Sequence, residues 1–147
     1  MNYEEIRDTI DVSLRDKLSE RMVWMYEAQY TRFNDITIVS IGADEVRLRM
    51  PLAGKMNSLG FAHGGAIYTI ADNAFGFAAN MGDIPQIALS GSIIYHRPGQ
   101  GKELIAVTSK VSDTNSVSTY DVKVYCNDKH IATATFVGFK LKDKKFQ

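Results

Sequence analysis

The chain has 147 residues, 45% of them apolar and 23% charged, which is ordinary for one globular domain and excludes a disordered or collagen-like chain. Its 17 basic residues balance its 17 acidic residues, so bulk charge predicts no nucleic-acid or anionic-membrane partner. The single cysteine, Cys126, excludes an intrachain disulfide and favours a reducing, cytoplasmic compartment. The sequence predicts no membrane span and no secretory signal.

The first 35 residues predict a helical segment that packs on a single domain formed by residues 36–147. Side chains recur there at the three- and four-residue steps of an amphipathic helix, namely Leu14, Leu18, Met22, Met25 and Gln29. Ser13 is the predicted N-cap of this helix. At the other end of the chain, the lysine-rich residues 140–147 predict a solvated, frayed tail.

Six segments with strand-like alternation predict an antiparallel sheet. They are residues 36–41, 46–50, 86–96, 104–111, 116–126 and 131–141, and the last four are joined by short turn-type sequences. Residues 63–81, in the middle of the chain, are apolar on every side of a helical projection, which predicts a wholly buried helix. The predicted fold class is therefore α+β, with a long antiparallel sheet around one central buried helix and an N-terminal amphipathic helix.

Asp72 lies within this apolar helix, where an unpaired carboxylate costs several kcal/mol. One interpretation is a structural aspartate that pairs with the amide of Asn73 or with nearby backbone. The other is a carboxylate held in an apolar cleft, which is suited to act as a base or nucleophile.

The glycine pair in His63-Gly64-Gly65 precedes the same helix. Glycines there leave the first-turn N–H groups unobstructed, and these groups together with the helix dipole can hold a developing oxyanion. The same pair is also typical of a tight turn between a strand and a helix.

In combination, Asn57, Gly60, His63-Gly64-Gly65 and Ala71-Asp72-Asn73-Ala74 resemble the motif of the hotdog-fold acyl-CoA thioesterases, in particular the phenylacetate-degradation subfamily. The resemblance covers residues 36–141. It implies a hotdog fold and the hydrolysis of an acyl-CoA thioester to a free acid and coenzyme A. It also implies that no cofactor is needed, and that the chain forms a homodimer and, in many members, a homotetramer.

The resemblance also implies roles for the motif residues. Asp72 matches the nucleophile or general base, and Gly64 matches the glycine whose N–H polarises the thioester carbonyl. Gly65 would keep that approach open, His63 would shape the loop, and Asn57 would orient the thioester or the attacking water. In the family, Asn57 and Gly64 come from one subunit and Asp72 from the other.

Two further residues are candidates for substrate binding. Some family members carry a Ser or Thr on the strand after the helix, where this chain has Ala88; Ser90, two residues on, is predicted to share its face and to substitute. Arg97, at the end of that strand, is a candidate ligand for a coenzyme A phosphate, although a solvated surface arginine fits the same position. The three histidines have no ligand-like spacing, so no metal site is predicted.

Three alternatives to hydrolysis remain open at this point. The first is a hotdog protein that binds acyl-CoA or acyl carrier protein without turnover, against which the intact Asp72 and Asn57 count. The second is a hotdog dehydratase or hydratase, and the third is a purely structural or interaction domain.

Overall fold

The structure, a computed structural model, describes residues 1–146; Gln147, at the end of the predicted frayed tail, lies outside the described residues. One six-stranded sheet with the order β1-β2-β4-β5-β6-β3 forms its frame, and every neighbouring pair is antiparallel. The strands are β1 (Thr37–Ile41), β2 (Val46–Pro51), β3 (Gln86–Tyr95), β4 (Glu103–Asp113), β5 (Val117–Cys126) and β6 (Lys129–Lys140).

The central helix α4 (Gly64–Ala79) lies across the inner face of the sheet and contacts the five strands β2 to β6. Phe75 of α4 stacks on Phe136 of β6, with ring centroids 5.2 Å apart, and meets Tyr120 of β5 edge-on. These rings belong to one continuous apolar core. The predicted α+β arrangement of a long sheet around a central helix is confirmed.

The prediction that this helix is buried on every side is wrong for one stripe. Thr69, Asp72, Asn73 and Gly76 are only half-buried, although the rest of the helix after Ile67 is largely buried. These positions are three and four residues apart and therefore share one helix face. No element within residues 1–146 covers that face completely, so the chain presents an apolar helix with one open side.

Three helices precede the sheet: α1 (Tyr3–Asp8), α2 (Arg15–Tyr26) and α3 (Gln29–Phe33). Ser13 is not an N-cap, because it lies inside a 3₁₀ turn at Val12–Leu14, and no side chain caps α2. The predicted single helix also breaks at Ala28, whose ψ of 132° is extended. Leu18 and Met22 of α2 nevertheless join the main core as the periodicity predicts, and Tyr26 joins it as well.

The two edge strands of the sheet, β1 and β3, differ in the hydrogen bonding of their outer edges. The outer edge of β1 is covered at its last residue, where the N–H of Ile41 donates to the carbonyl of Thr9 and the N–H of Asp11 donates to the carbonyl of Ile41. The outer edge of β3 has no strand partner in the described chain. Its exposed side chains include Ile87, Leu89 and Ile94. A long, apolar, unpaired edge of this kind favours pairing with another strand.

The C-terminal tail is not frayed as predicted over its described part. The N–H of Leu141 donates to the carbonyl of Pro85, and the ring of Phe146 packs edge-on against Trp24. Elsewhere, none of the helices in residues 1–146 has the length and apolarity that crossing a bilayer requires.

Candidate active site

The N-terminus of α4 carries a free backbone donor at Gly64. His63 is the N-cap, and its Nδ1 accepts a 2.9 Å hydrogen bond from the N–H of Gly65. The cap therefore occupies the N–H of Gly65 and leaves that of Gly64 without an acceptor in the described residues. An unpaired N–H at the positive end of a helix dipole is a suitable donor to a carbonyl oxygen that gains negative charge.

The fold itself does not require glycine at position 64. A Cβ added there would meet the ring of Tyr95 at 3.4 Å, which is an ordinary van der Waals contact. A Cβ on Gly65 would instead approach Nδ1 of His63 to 3.1 Å and crowd the cap. The bare backbone of Gly64 is therefore available for another purpose, such as the close approach of a substrate.

Asn57 shapes the loop that leads into α4. Its Oδ1 accepts hydrogen bonds of 3.0 Å from the N–H groups of Leu59 and Phe61. Gly60, in the same loop, has a φ of +80°, a left-handed conformation that favours glycine. Because the loop engages the oxygen, the amide nitrogen of this half-buried side chain, for which residues 1–146 provide no acceptor, is the group left to donate to a ligand.

Asp72 lies on the open stripe of α4. The predicted pairing with Asn73 is not found: Asn73 donates to the carbonyl of Thr69 and accepts from the hydroxyl of Thr31. Asp72 has neither a hydrogen bond nor an ion pair with any residue from 1 to 146. Burial raises the pKa of its carboxyl group, which makes the ionised form a stronger base than an ordinary aspartate.

A cleft of about 810 Å³ opens beside Asp72. Its apolar lining comes from α2, α4, the start of β3 and the C-terminal tail, through Trp24, Met25, Phe77, Ile87, Leu141 and Phe146. This volume is typical of small-molecule sites. A larger cavity of about 1160 Å³ between Arg47, Lys123 and Tyr125 is remote from this chemistry, because its lining includes neither Asp72 nor the start of α4.

The predicted site residues form two groups. The first group lies at the N-terminus of α4 and consists of Asn57, His63, Gly64 and Gly65. A hydrogen bond from the N–H of His63 to the carbonyl of Lys55 holds the Asn57 loop against the start of the helix. Asp72 is eight residues along the same helix from Gly64, which is about 12 Å. A single thioester carbonyl cannot contact both Gly64 and Asp72 of one chain.

Arg97 belongs with the first group. It is exposed on the loop after β3, and this loop packs against the start of α4 because the N–H of Ala62 donates to the carbonyl of Gly99. A Cβ on Gly99 would lie only 2.9 Å from that of Ala62. The Arg97 side chain therefore projects from a loop that borders the helix N-terminus.

Ser90 does not share a face with Ala88, so that prediction is wrong. Ala88 pairs with Gly138, but Ser90 pairs with the next residue of β6, Val137, because a bulge inserts one residue between them. The shift turns Ser90 to the outer face of the sheet, whereas Ala88 and Gly91 face α4. Ser90 therefore lies away from the helix that carries Asp72.

Tyr95 is a site residue that sequence reasoning missed. Its hydroxyl donates a 3.0 Å hydrogen bond to the carbonyl of Gly64. Burial, with a contribution from nearby Tyr68, raises the pKa of Tyr95 and keeps the phenol protonated as a donor. Only the register of β3 against β6 shows that this residue faces the helix, so the sequence alone gives no signal beyond a tyrosine at a strand end.

Comparison with known proteins agrees with this architecture. The model of the Thioesterase superfamily matches residues 59–133, just over half of the chain. The acyl-coenzyme A thioesterase PaaI of Escherichia coli K12 is 27% identical over 105 residues, which are 70% of this chain and 74% of that protein.

Two solved structures are similar along most of the chain. A mutant of the phenylacetic acid degradation protein PaaI from Thermus thermophilus is 30% identical to this chain, with a TM-score of 0.70. The match covers 76% of this chain and 98% of the T. thermophilus chain. The smu.793 protein of Streptococcus mutans UA159, bound to acetyl CoA, is 27% identical to this chain, with a TM-score of 0.71. This match covers 78% of this chain and 94% of the S. mutans chain. The chain therefore belongs to the Thioesterase superfamily, and is a PaaI-like thioesterase with the hotdog fold that its motif indicated.

Proposed function

We propose that this protein hydrolyses acyl-CoA thioesters to a free acid and coenzyme A. The observation that carries the proposal is the unpaired, half-buried carboxylate of Asp72 in the wall of an apolar cleft. The free N–H of Gly64 supplies the complementary oxyanion donor. Among the relatives, the E. coli protein is named as an acyl-CoA thioesterase and the S. mutans protein holds acetyl CoA, which supports this substrate class.

Asp72 acts on the thioester carbonyl by one of two routes. As a nucleophile, its carboxylate attacks the carbonyl carbon, the C–S bond breaks, and water then hydrolyses the mixed anhydride. As a general base, it takes a proton from water while the water oxygen attacks the same carbon, and the proton passes to the departing thiolate. In both routes the N–H of Gly64 stabilises the oxyanion and the amide of Asn57 orients the thioester or the water.

The site is shared between two copies of the chain. Because Gly64 and Asp72 of one chain are about 12 Å apart, Asn57 and Gly64 of one subunit act with Asp72 of another. Pairing of the free β3 edges across a two-fold axis forms a homodimer with two such sites. Two of these dimers form the homotetramer expected from the sequence.

The remaining predicted residues have supporting roles. His63 caps α4, Gly65 provides the N–H for that cap, and Arg97 binds a phosphate of coenzyme A as a bidentate donor. Ser90 is left out of the site because it faces the outer side of the sheet. A cytoplasmic location belongs to the proposal, since the one cysteine, Cys126, is a buried free thiol that suits a reducing compartment.

The geometry disfavours a dehydratase of the Asp/His type. In this structure the Nδ1 of His63 accepts from the N–H of Gly65, so the ring proton of the neutral imidazole lies on Nε2, which can donate to a substrate but cannot act as the base of a dehydratase. A binding protein without turnover would not need an unpaired carboxylate of raised pKa beside its apolar cleft.

A thiol-release assay with purified full-length protein and a series of acyl-CoAs tests the proposal. We expect release of coenzyme A from at least one acyl-CoA, and loss of this release in Asp72→Asn. Saturable binding of acyl-CoA with no release from any member of the series would instead support the binding-protein alternative.

A further inference from the structure

The cleft beside Asp72 has a wall built from both ends of the chain. Trp24 and Met25 come from α2, and Phe146 comes from the C-terminal tail. All three lie outside residues 59–133, the part that matches the family model. The wall is therefore a feature of this chain's own termini and not of the matched segment.

The tail is held in the wall by Arg21. Its guanidinium lies 3.8 Å from the centroid of the Phe146 ring, and Trp24 meets the same ring edge-on at 6.4 Å. Arg21 also donates to the carbonyls of Asn80 and Met81, just past the end of α4. The side chain of Arg21 therefore contacts both the end of α4 and the C-terminal tail from α2, and these contacts fix the position of Phe146 in the cleft.

Open space leads from Asp72 toward this wall. Gly76 lies one helical turn beyond Asp72 on the same face, and a Cβ there would meet no atom within 4 Å. Asn80, one further turn along, also lines the cleft. The distance from Asp72 to Asn80 along the helix is about 12 Å, which is enough for an acyl chain of several carbons.

We propose that Trp24, Met25 and Phe146 form the acyl-binding wall and make the enzyme select apolar acyl groups several carbons long over acetyl. This proposal rests on the proposed function, because it takes Asp72 as the residue next to the thioester carbonyl. The three wall side chains offer apolar surface, and the charged side chains that line the cleft beside them, Glu27, Lys144 and Lys145, are exposed. Each methylene that it removes from water raises affinity by up to about fourfold.

The first test measures kcat/KM for acetyl-, butanoyl-, hexanoyl- and octanoyl-CoA with the full chain. The kcat/KM of the wild-type protein is expected to rise along the series. In Trp24→Ala and in Phe146→Ala, kcat/KM is expected to fall about tenfold with octanoyl-CoA but less than twofold with acetyl-CoA. Phe33→Ala is the matched control, because Phe33 is an aromatic of the same N-terminal segment, is 80% exposed and does not line the cleft. An equal loss across the series, or none, would overturn the proposal.

The second test does not depend on turnover. Trp24 is the only tryptophan of the chain, so its fluorescence reports on this wall. Octanoate, the corresponding product, is expected to change the emission saturably, whereas acetate and coenzyme A alone are not. Phe146→Ala should weaken the octanoate response about tenfold, and Phe33→Ala should leave it unchanged.

The two tests separate the two proposals. If octanoate binds at Trp24 but no acyl-CoA is hydrolysed, the proposed function fails and selection by an enzyme fails with it, whereas the binding of apolar acyl groups at the wall stands. If octanoyl-CoA is hydrolysed but the Trp24 emission does not respond to octanoate, the acyl wall is wrong and the proposed function stands.

Discussion

The hydroxyl of Tyr95 donates a 3.0 Å hydrogen bond to the carbonyl of Gly64, so the last residue of the edge strand β3 holds the first residue of α4. The edge that we propose for dimer formation and the proposed oxyanion donor are thereby joined by one bond. The Tyr95 ring also fills the space next to the Gly64 Cα. The N–H of Gly64 is left free to donate.

Gly64→Ala is expected to lower kcat by tenfold or more, on the order of the effects seen when oxyanion donors are disturbed, with little change in thermal stability. The added methyl group makes only an ordinary contact with Tyr95 and obstructs the substrate side. Gly65→Ala is the matched variant: its methyl group crowds His63, so its melting temperature should fall. An increase in KM alone for Gly64→Ala would mean that the glycine shapes only the turn.

Asp72→Asn is expected to keep the fold and to lose hydrolysis by at least about 10²-fold, as for a missing base or nucleophile. Because burial raises the pKa of this carboxyl, the acid limb of the wild-type pH–rate profile should lie above the ordinary aspartate value. Asp83→Asn, which removes an exposed carboxylate just beyond α4, is the control and should retain full activity. Near wild-type turnover of a folded Asp72→Asn protein would remove Asp72 from the mechanism.

The same substitution should stabilise the protein at neutral pH. Because the pKa of Asp72 is raised in the folded state above the ordinary 3.8, folding favours the protonated form. The stability from this carboxyl is present below the unfolded-state pKa and is lost as pH rises through the folded-state pKa. At pH 7 the melting temperature of Asp72→Asn should be higher than that of wild type. At pH 4 the difference between the two melting temperatures should be smaller. A lower melting temperature for the variant at pH 7 would contradict the absence of a stabilising partner.

Two glycines of the inner layer should respond in opposite ways to alanine. Gly76 lies inside α4 with open space around it, so Gly76→Ala should stabilise the fold by about 0.4–1 kcal/mol. Gly91 lies on β3, where a Cβ would come within 3 Å of the Tyr68 hydroxyl and the Phe136 ring, so Gly91→Ala should destabilise it. Chemical denaturation measures both changes. If Gly91→Ala stabilised the protein, the close packing of Gly91 against Tyr68 and Phe136 described above would be contradicted.

The sequence predicted the sheet and the central helix because their signals are local. Alternation in residues 104–111 and 116–126, for example, places Leu104 with Ala106 on one face and Val122 with Val124 on one face, and all four are buried. The motif around His63 and Asp72 was equally visible. The strands and the helix have patterns whose period reflects the geometry of one element, whereas the motif was visible through its resemblance to a known family.

Three features could not be predicted, for different physical reasons. The bulge before Ser90 depends on the register of β3 against β6 and reverses the face of every later residue of the strand. Phe146 is held by Arg21 and Trp24, which are more than a hundred residues away in the chain. The apolar composition of α4 indicates burial but does not distinguish burial within one chain from burial against a second copy.

The central claim is a thioester site shared by two subunits, and subunit mixing tests it most directly. Asn57→Ala and Asp72→Ala proteins, each of which we expect to be nearly inactive, are mixed in equal amounts under conditions that allow exchange, which two affinity tags verify. Random pairing makes about half of the dimers mixed, and each mixed dimer has one intact and one doubly damaged site. Activity should therefore recover to about a quarter of wild type by this symmetry count. If exchange occurs and activity stays at the parental level, Asn57 and Asp72 serve the same subunit's site and the account is wrong.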